Sequence, residues 1–598
     1  MLKEHPRGLF ILSLANMGER FGYYTMLAIF TLYLQAKFGF SAGKTSMIFG
    51  TFLACVYFLP LLGGILADRF LGYGKTIMLG ILIMFGGYLL LAVPMEADVS
   101  FYMMVGALGL ISLGTGFFKG NLQALVGNLY DEEKYKVKRD VAYSIFYMCI
   151  NIGAFFAPSA AEGVSNFFMA KDGFKYEASV PALAVQYLNY KVVDAEAFKA
   201  THLADAKDVK DAAQYIQKMK SREGVLFAED SAKIAGKLEV FGKEQLKEKF
   251  TDSKSFARSY LTSLTNSYNY GFGVACFSLI LSLLVFVGFR KYYKHVDITE
   301  AQKAKDATKK STIIELTPEQ TKERLIALGL VFLVVIFFWM SFHQNGATMT
   351  YFARDYTVGS VSTMTYLFFS LASLVPIAVG FYGLFFMFQK GNPKNKIVGA
   401  VLLVVAILAV TIFYQYISSS PTHAITPPKF QQFNPFFIIL LTPIFVSLFA
   451  MLNKKGKEPS APRKIGIGML IAAAGFCVLI IPAFGLKSPS EIVGVSETLI
   501  SPYWLVQTYF VLTIAELFLS PMGISFVSKV APPKYKGLMQ GGWLCATAIG
   551  NYLVGIMGIL WEKVPLWVFW GILVTCCLLS AAFIFSILNR LERATKNA

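Results

Sequence analysis

The sequence predicts an all-α polytopic membrane protein of about fourteen spans, and three observations predict it. Apolar residues make up 55% of the 598 positions and mean hydropathy is +0.54, more than a soluble fold of this size needs. They are grouped in runs of roughly 20, the length that crosses a hydrocarbon core of about 30 Å. The connecting segments also alternate in charge, with lysine and arginine gathered in every second one.

In chain order the apolar runs are 9–36, 46–66, 76–94, 101–127, 141–162, 267–290 and 325–345. They continue at 363–388, 396–417, 434–453, 463–484, 503–528, 538–560 and 566–588. Lys3 and Arg7 precede the first run, Arg69 and Lys75 follow the second, and Lys134, Lys136, Lys138 and Arg139 follow the fourth. Arg290, Lys291 and Lys294 follow the sixth, and the same parity holds down to Arg590, Arg593 and Lys596. The positive-inside rule then places both termini in the cytoplasm of a multi-pass cell (inner) membrane protein. The net charge of +18 is thereby topology, with attraction to bilayer lipid as a secondary effect, and not a nucleic-acid footprint.

Two stretches interrupt the runs. Residues 163–265 form a large exterior insert whose Ala/Lys/Glu-rich segments read as amphipathic helix, a cap domain in size. Residues 291–323 are polar, lysine-rich and cytoplasmic, a linker between two halves. Segments 1–162 and 266–290 are then the first five helices and the sixth, and 324–598 the second half. All seven cysteines fall in apolar runs, so no disulfide framework is indicated.

An ionisable group near mid-membrane costs about 2.5–3.5 kcal/mol even on the permissive insertion scale, which makes each exception informative. The exceptions are Glu19 and Arg20 in the first run, Lys119 in the fourth, His343 at the end of the seventh and Glu516 in the twelfth. Neighbours in sequence diverge by roughly 100° on a helix, so Glu19 and Arg20 are each expected to need a partner of their own. The plainer alternative is that these groups only pair with one another to hold helices together, or, for His343, that it is a hydrated cap. GYGKT (Gly72 to Thr76) and GTGFFKG (Gly114 to Gly120) lack the context of phosphate loops. No metal spacing and no nucleophile–base signature appears, so neither an enzyme nor a cofactor is indicated.

These residues sit in strings that resemble the proton-coupled oligopeptide transporter family of the major facilitator superfamily. GGILADRFLGYGKT (Gly63 to Thr76) resembles the superfamily loop between helices two and three, with Asp68 and Arg69 in the gating positions. GERFGYY resembles the first-helix motif, GTGFFKGN the fourth and FYMCINIG the fifth. FFWMSFHQNG, FQQFNPFFIILLTPIF, LTIAELFLSPMG and APPKYKGLMQGGWLCATAIGN resemble helices seven, eight, ten and eleven. The resemblance implies a major facilitator fold: two six-helix bundles around a central cavity, with 363–417 left over as an extra helix pair. It implies alternating access, small peptides as substrate, the proton as coupling ion and a monomeric state.

Carried onto this sequence, Arg20 and Lys119 resemble the cations that hold a peptide carboxylate, and Asn151, Asn434 and Glu516 the group that receives its ammonium. Tyr23, Tyr24, Tyr57, Trp339 and Trp543 are implied pocket residues, and Glu19 and His343 the proton-coupling groups. Two positions depart from the pattern: Asn16 replaces the first glutamate of the helix-one motif, and His343 stands where helix seven often has glutamate. Three rival readings remain open: the same fold carrying an anion such as nitrate, a facilitator without proton coupling, and a peptide-sensing receptor.

Overall fold

The computed structural model describes residues 5–136, 138–204, 212–299, 317–388, 393–532 and 535–596. Each of the fourteen apolar runs coincides with a long helix to within a few residues, save that the run at 363–388 opens on a short helix, Thr363–Tyr366, before its long one begins at Leu371. These are α1 (Arg7–Phe38), α2 (Ala42–Phe58, carried on by Pro60–Leu66), α3 (Tyr73–Ala92), α4 (Ala97–Asn128) and α5 (Arg139–Lys171). They continue with α6 (Ser253–Gly288), α7 (Pro318–Phe342), α8 (Leu371–Phe388), α9 (Pro393–Ile417) and α10 (Phe433–Lys454). The last four are α11 (Ala461–Ala483), α12 (Tyr503–Val530), α13 (Lys536–Trp561) and α14 (Leu566–Ser586). Among the described residues, twelve helices are long and apolar enough to cross a membrane, which makes the chain an integral membrane protein. α1 is outside that set and carries Arg7, Glu19, Arg20 and Lys37.

Two apolar cores divide the molecule. One is built chiefly by α1–α6 and the other by α7, α8 and α10–α14, giving the two helical halves. Glycines set how closely the helices approach, as is usual where burial of apolar surface cannot drive association. A Cβ on Gly50 would sit 2.7 Å from the Asn551 carbonyl and 2.8 Å from the Gly555 nitrogen, so α2 and α13 cross backbone to backbone between the halves. Gly80 and Gly114 do the same for α3 and α4.

Hydrogen bonds between the halves gather at one end of the bundle. Thr31 donates to the Gly346 carbonyl at 3.1 Å, and Ser46 meets Tyr351 at 3.1 Å. The Ala42 amide donates to Glu562 at 2.7 Å, Ser159 donates to Gln432 at 2.8 Å, and Arg354 reaches Gln35. This end is therefore closed.

The insert is smaller than the sequence suggests, because α5 and α6 run past the apolar stretches that define them. α5 continues to Lys171 and α6 begins at Ser253, where Asp252 accepts from the Lys254 and Ser255 amides at 2.9 Å each. Polar sequence persists as helix there because Phe174, Phe256 and Tyr260 pack together and Ser263 donates to Asp172 at 2.7 Å. Between them lie helices Val180–Asn189, Ala195–Ala204, Ala212–Glu223 and Ala228–Leu246, with short parallel strands β1 (Lys191–Val193) and β2 (Val225–Phe227). Much of the linker assigned to 291–323 lies outside the described residues, at 300–316.

The pair α8–α9 forms a close hairpin, with a Cβ on Gly383 falling 2.7 Å from the Gly399 carbonyl. It leans on α10, where Tyr382 donates to the Ile439 carbonyl at 2.8 Å. Antiparallel strands β3 (Ser360–Ser362) and β4 (Thr422–Ala424) close its base.

Candidate functional site

Glu19 and Arg20 pair with each other, against the expectation of separate partners. Arg20 Nε donates to Glu19 Oε2 at 2.5 Å and a terminal nitrogen donates to Oε1 at 2.6 Å, a two-pronged ion pair with both side chains buried. The 100° divergence fixes only where the Cβ atoms point. The long arginine stem bends its planar head back onto the adjacent carboxylate. The guanidinium also lies 4.7 Å from the Tyr23 ring centre, and Tyr23 meets Tyr24 edge-on at 5.3 Å.

Lys119 has no carboxylate within ion-pair distance among the described residues; its ammonium instead sits 3.8 Å from the Tyr57 ring centre. Tyr57 reaches across to the second half, 6.5 Å from Trp339 and 6.1 Å from His343. Trp339 and His343 stack at 5.0 Å. His343 ends α7, and its Nδ1 lies 2.5 Å from Asn551 Oδ1 on α13, so its partner is an amide on the neighbouring helix rather than solvent alone. Trp339 Nε1 and Asn551 Nδ2 are buried without a hydrogen-bond partner among the described residues.

Glu516 anchors the opposite pole. Tyr147 on α5 donates to its Oε1 at 3.0 Å, and Asn434 on α10 donates to Oε2 at 2.8 Å and to Thr513 at 3.1 Å. Asn151 donates its amide to the Tyr147 carbonyl one turn back, at 2.9 Å, and so reaches the cluster through Tyr147 rather than by a direct bond to Glu516. Trp543 packs against Phe332 at 6.3 Å. The phenols of Tyr24 and Tyr57 lie within electrostatic reach of both Arg20 and Glu516.

Two residues escaped the sequence reading. Tyr147 stands four positions before Asn151 in FYMCINIG, one helical turn away, and that spacing was its only signal. Asn551 closes the AIGN string and carries no charge to mark it.

Asp68 and Arg69 lie in a wide helical turn, Ala67–Leu71, that ends at Gly72 with φ +79°. Asp68 accepts from Tyr73 at 2.9 Å while Arg69 is exposed. The turn is tied from outside, since the Gly74 amide donates at 2.9 Å to Asp297 beyond α6.

The POT family sequence profile (PTR2) matches residues 74–183 and 408–567. The chain is thus similar to the POT family in both of its halves. Relatives extend over nearly all of it: an uncharacterized transporter of Bacillus subtilis is 25% identical, covering 99% of this chain and 95% of its own length. Dipeptide and tripeptide permease A of Escherichia coli is 25% identical, covering 93% and 85%. The crystal structure of a POT peptide transporter in complex with sulfate superposes with TM-score 0.62 at 21% identity, covering 99% of this chain and 96% of that one. That of a POT family transporter in complex with 5-aminolevulinic acid also gives 0.62, at 17% identity, covering 98% and 97%. The fold shared with those structures thus extends across both halves, including segments that the profile leaves unmatched.

Proposed function

We propose that this protein is a POT-like secondary active transporter that imports di- and tripeptides by proton symport. The observation that carries the reading is a bipolar site between the halves. Glu516 is held ready by Tyr147 and Asn434, and Lys119, over the Tyr57 ring, has no carboxylate of its own among the described residues. A zwitterionic peptide carries one charge for each pole: its ammonium pairs with Glu516 and its carboxylate with the Lys119 ammonium. The unpartnered donors Trp339 Nε1 and Asn551 Nδ2 lie in the same aromatic cluster as Lys119. An anion such as nitrate fits less well, because the buried Glu516 carboxylate repels it.

Arg20 is occupied by Glu19 in this state, so the carboxylate role passes first to Lys119. Glu19 is the proton carrier in this reading: once protonated, it releases Arg20 to the substrate. His343, bonded to Asn551, is the second. With both termini cytoplasmic, the closed end faces outward and the protein is poised to release substrate inward. Transport is then alternating access by a monomer, with bundles rocking about the central site.

Competition for uptake of labelled dialanine tests the polar assignment. Wild-type protein should prefer dialanine over its C-terminal amide, and Lys119→Ala should lose that preference. A Lys119→Ala protein that still rejects the amide would place the carboxylate elsewhere.

A further inference from the structure

At the closed end, one ion pair joins the halves in a dry setting. Glu162 on α5 lies 3.4 Å from the Lys429 ammonium, at the turn that leads into α10, and the two side chains are 9% and 8% exposed. Thr426 donates its hydroxyl to Glu162 Oε1 at 2.8 Å, and one turn earlier on α5 Ser159 donates to Gln432 at 2.8 Å. On its other side Lys429 donates to the Tyr366 hydroxyl at 3.3 Å and lies 4.7 Å from that ring centre. Tyr366 in turn stacks on His423 of β4 at 4.7 Å, so the closed base of the α8–α9 hairpin backs the lysine. Tyr176 of the insert is within electrostatic reach of Glu162, as it is of Arg354, Asp355 and Glu177.

We infer that Glu162 and Lys429 form the ion-pair latch that holds this end shut, and that the base of the α8–α9 hairpin positions the lysine through Tyr366. The inference rests on the alternating-access reading, in which this end must open once per cycle. Separation hydrates both ions, whereas closure requires them to be desolvated together. Removing one partner leaves the other as an uncompensated charge in a closed interface, so the balance shifts toward the open end. The extra hairpin thereby gains a task at its base.

Amide hydrogen exchange on the full-length protein in lipid nanodiscs, without substrate, tests this. The segments to follow are 28–50 in the first half and 343–356 in the second, which line the closed end but are distant in sequence from both ions. Glu162→Gln and Lys429→Gln should each raise exchange in both segments by about tenfold or more. The charge-swapped pair Glu162→Lys with Lys429→Glu should return it toward wild type. Tyr366→Phe should raise exchange in the wild-type background and add nothing to Lys429→Gln. Should either single variant fail to fold, Thr426→Val, which removes only a hydroxyl donor, is expected to raise exchange in the same two segments by a smaller factor. Increases confined to the chain around 162 and 429, or a swapped pair as open as the single variants, would overturn the latch. Dialanine uptake by the same wild-type preparation separates that outcome from a failure of the transport reading.

Discussion

Replacing Glu516 by glutamine removes one charge from the site while keeping its shape. Tyr147 and Asn434 remain able to bond the amide oxygen, so helix packing should hold. What disappears is the charge-assisted bond to a substrate ammonium, about 1.5–3 kcal/mol by the usual range for hydrogen bonds to ionised groups. At about 1.4 kcal/mol per factor of ten, dialanine should bind roughly 10- to 150-fold more weakly. The decisive assay is a cycle with N-acetyl-dialanine, which has no ammonium, as the second ligand. Wild-type protein should favour dialanine over the acetylated peptide by that factor, and Glu516→Gln should treat the two nearly alike. A variant that weakens both ligands equally, or that keeps the preference, would refute Glu516 as the ammonium acceptor.

Tyr147→Phe should weaken dialanine binding several-fold without lowering thermal stability, because it strips a donor from Glu516 while leaving the ring in place; binding and melting measured together would show it. Gly558→Leu should lower the melting temperature and abolish uptake: a Cβ there already falls 2.1 Å from Ser46 Cβ, and overpacking costs about 1–3 kcal/mol. Glu19→Gln should abolish accumulation driven by a proton gradient yet preserve exchange of labelled for unlabelled peptide. At the N-cap of α6, hydrogen bonds from Ser255, with that from Lys254, hold the Asp252 carboxyl below its usual range. Its contribution is therefore present above the unfolded value near 3.9 and is lost as pH falls through the lower folded one. Limited proteolysis of the insert should accelerate in that acid window, and Asp252→Asn should keep the cap while flattening the dependence.

Hydropathy located the helices because run length against bilayer thickness is a strong constraint. It failed at the ends of α5 and α6, where packing of Phe174 on Phe256 and the Asp252 cap, rather than apolarity, continue the helix. The charged residues stood out against the apolar background, which is why Lys119, His343 and Glu516 were legible as candidates. Their partners were not, since pairing depends on side-chain reach and on which helices meet. The Glu19–Arg20 pair defeated a rule about helical phase, and Tyr147 and Asn551 are neutral. Glu162 passed unnoticed because it sits where one apolar run ends, a position that looks like an ordinary interfacial charge. Lys429 lies 267 positions later and nothing local connects them.

Uptake of labelled dialanine into proteoliposomes, with and without an inward proton gradient, tests the central claim most directly. The account predicts accumulation above equilibrium only when the gradient is present, despite asparagine at position 16. Equilibration without accumulation would contradict the proton coupling, and no uptake at all would contradict the substrate.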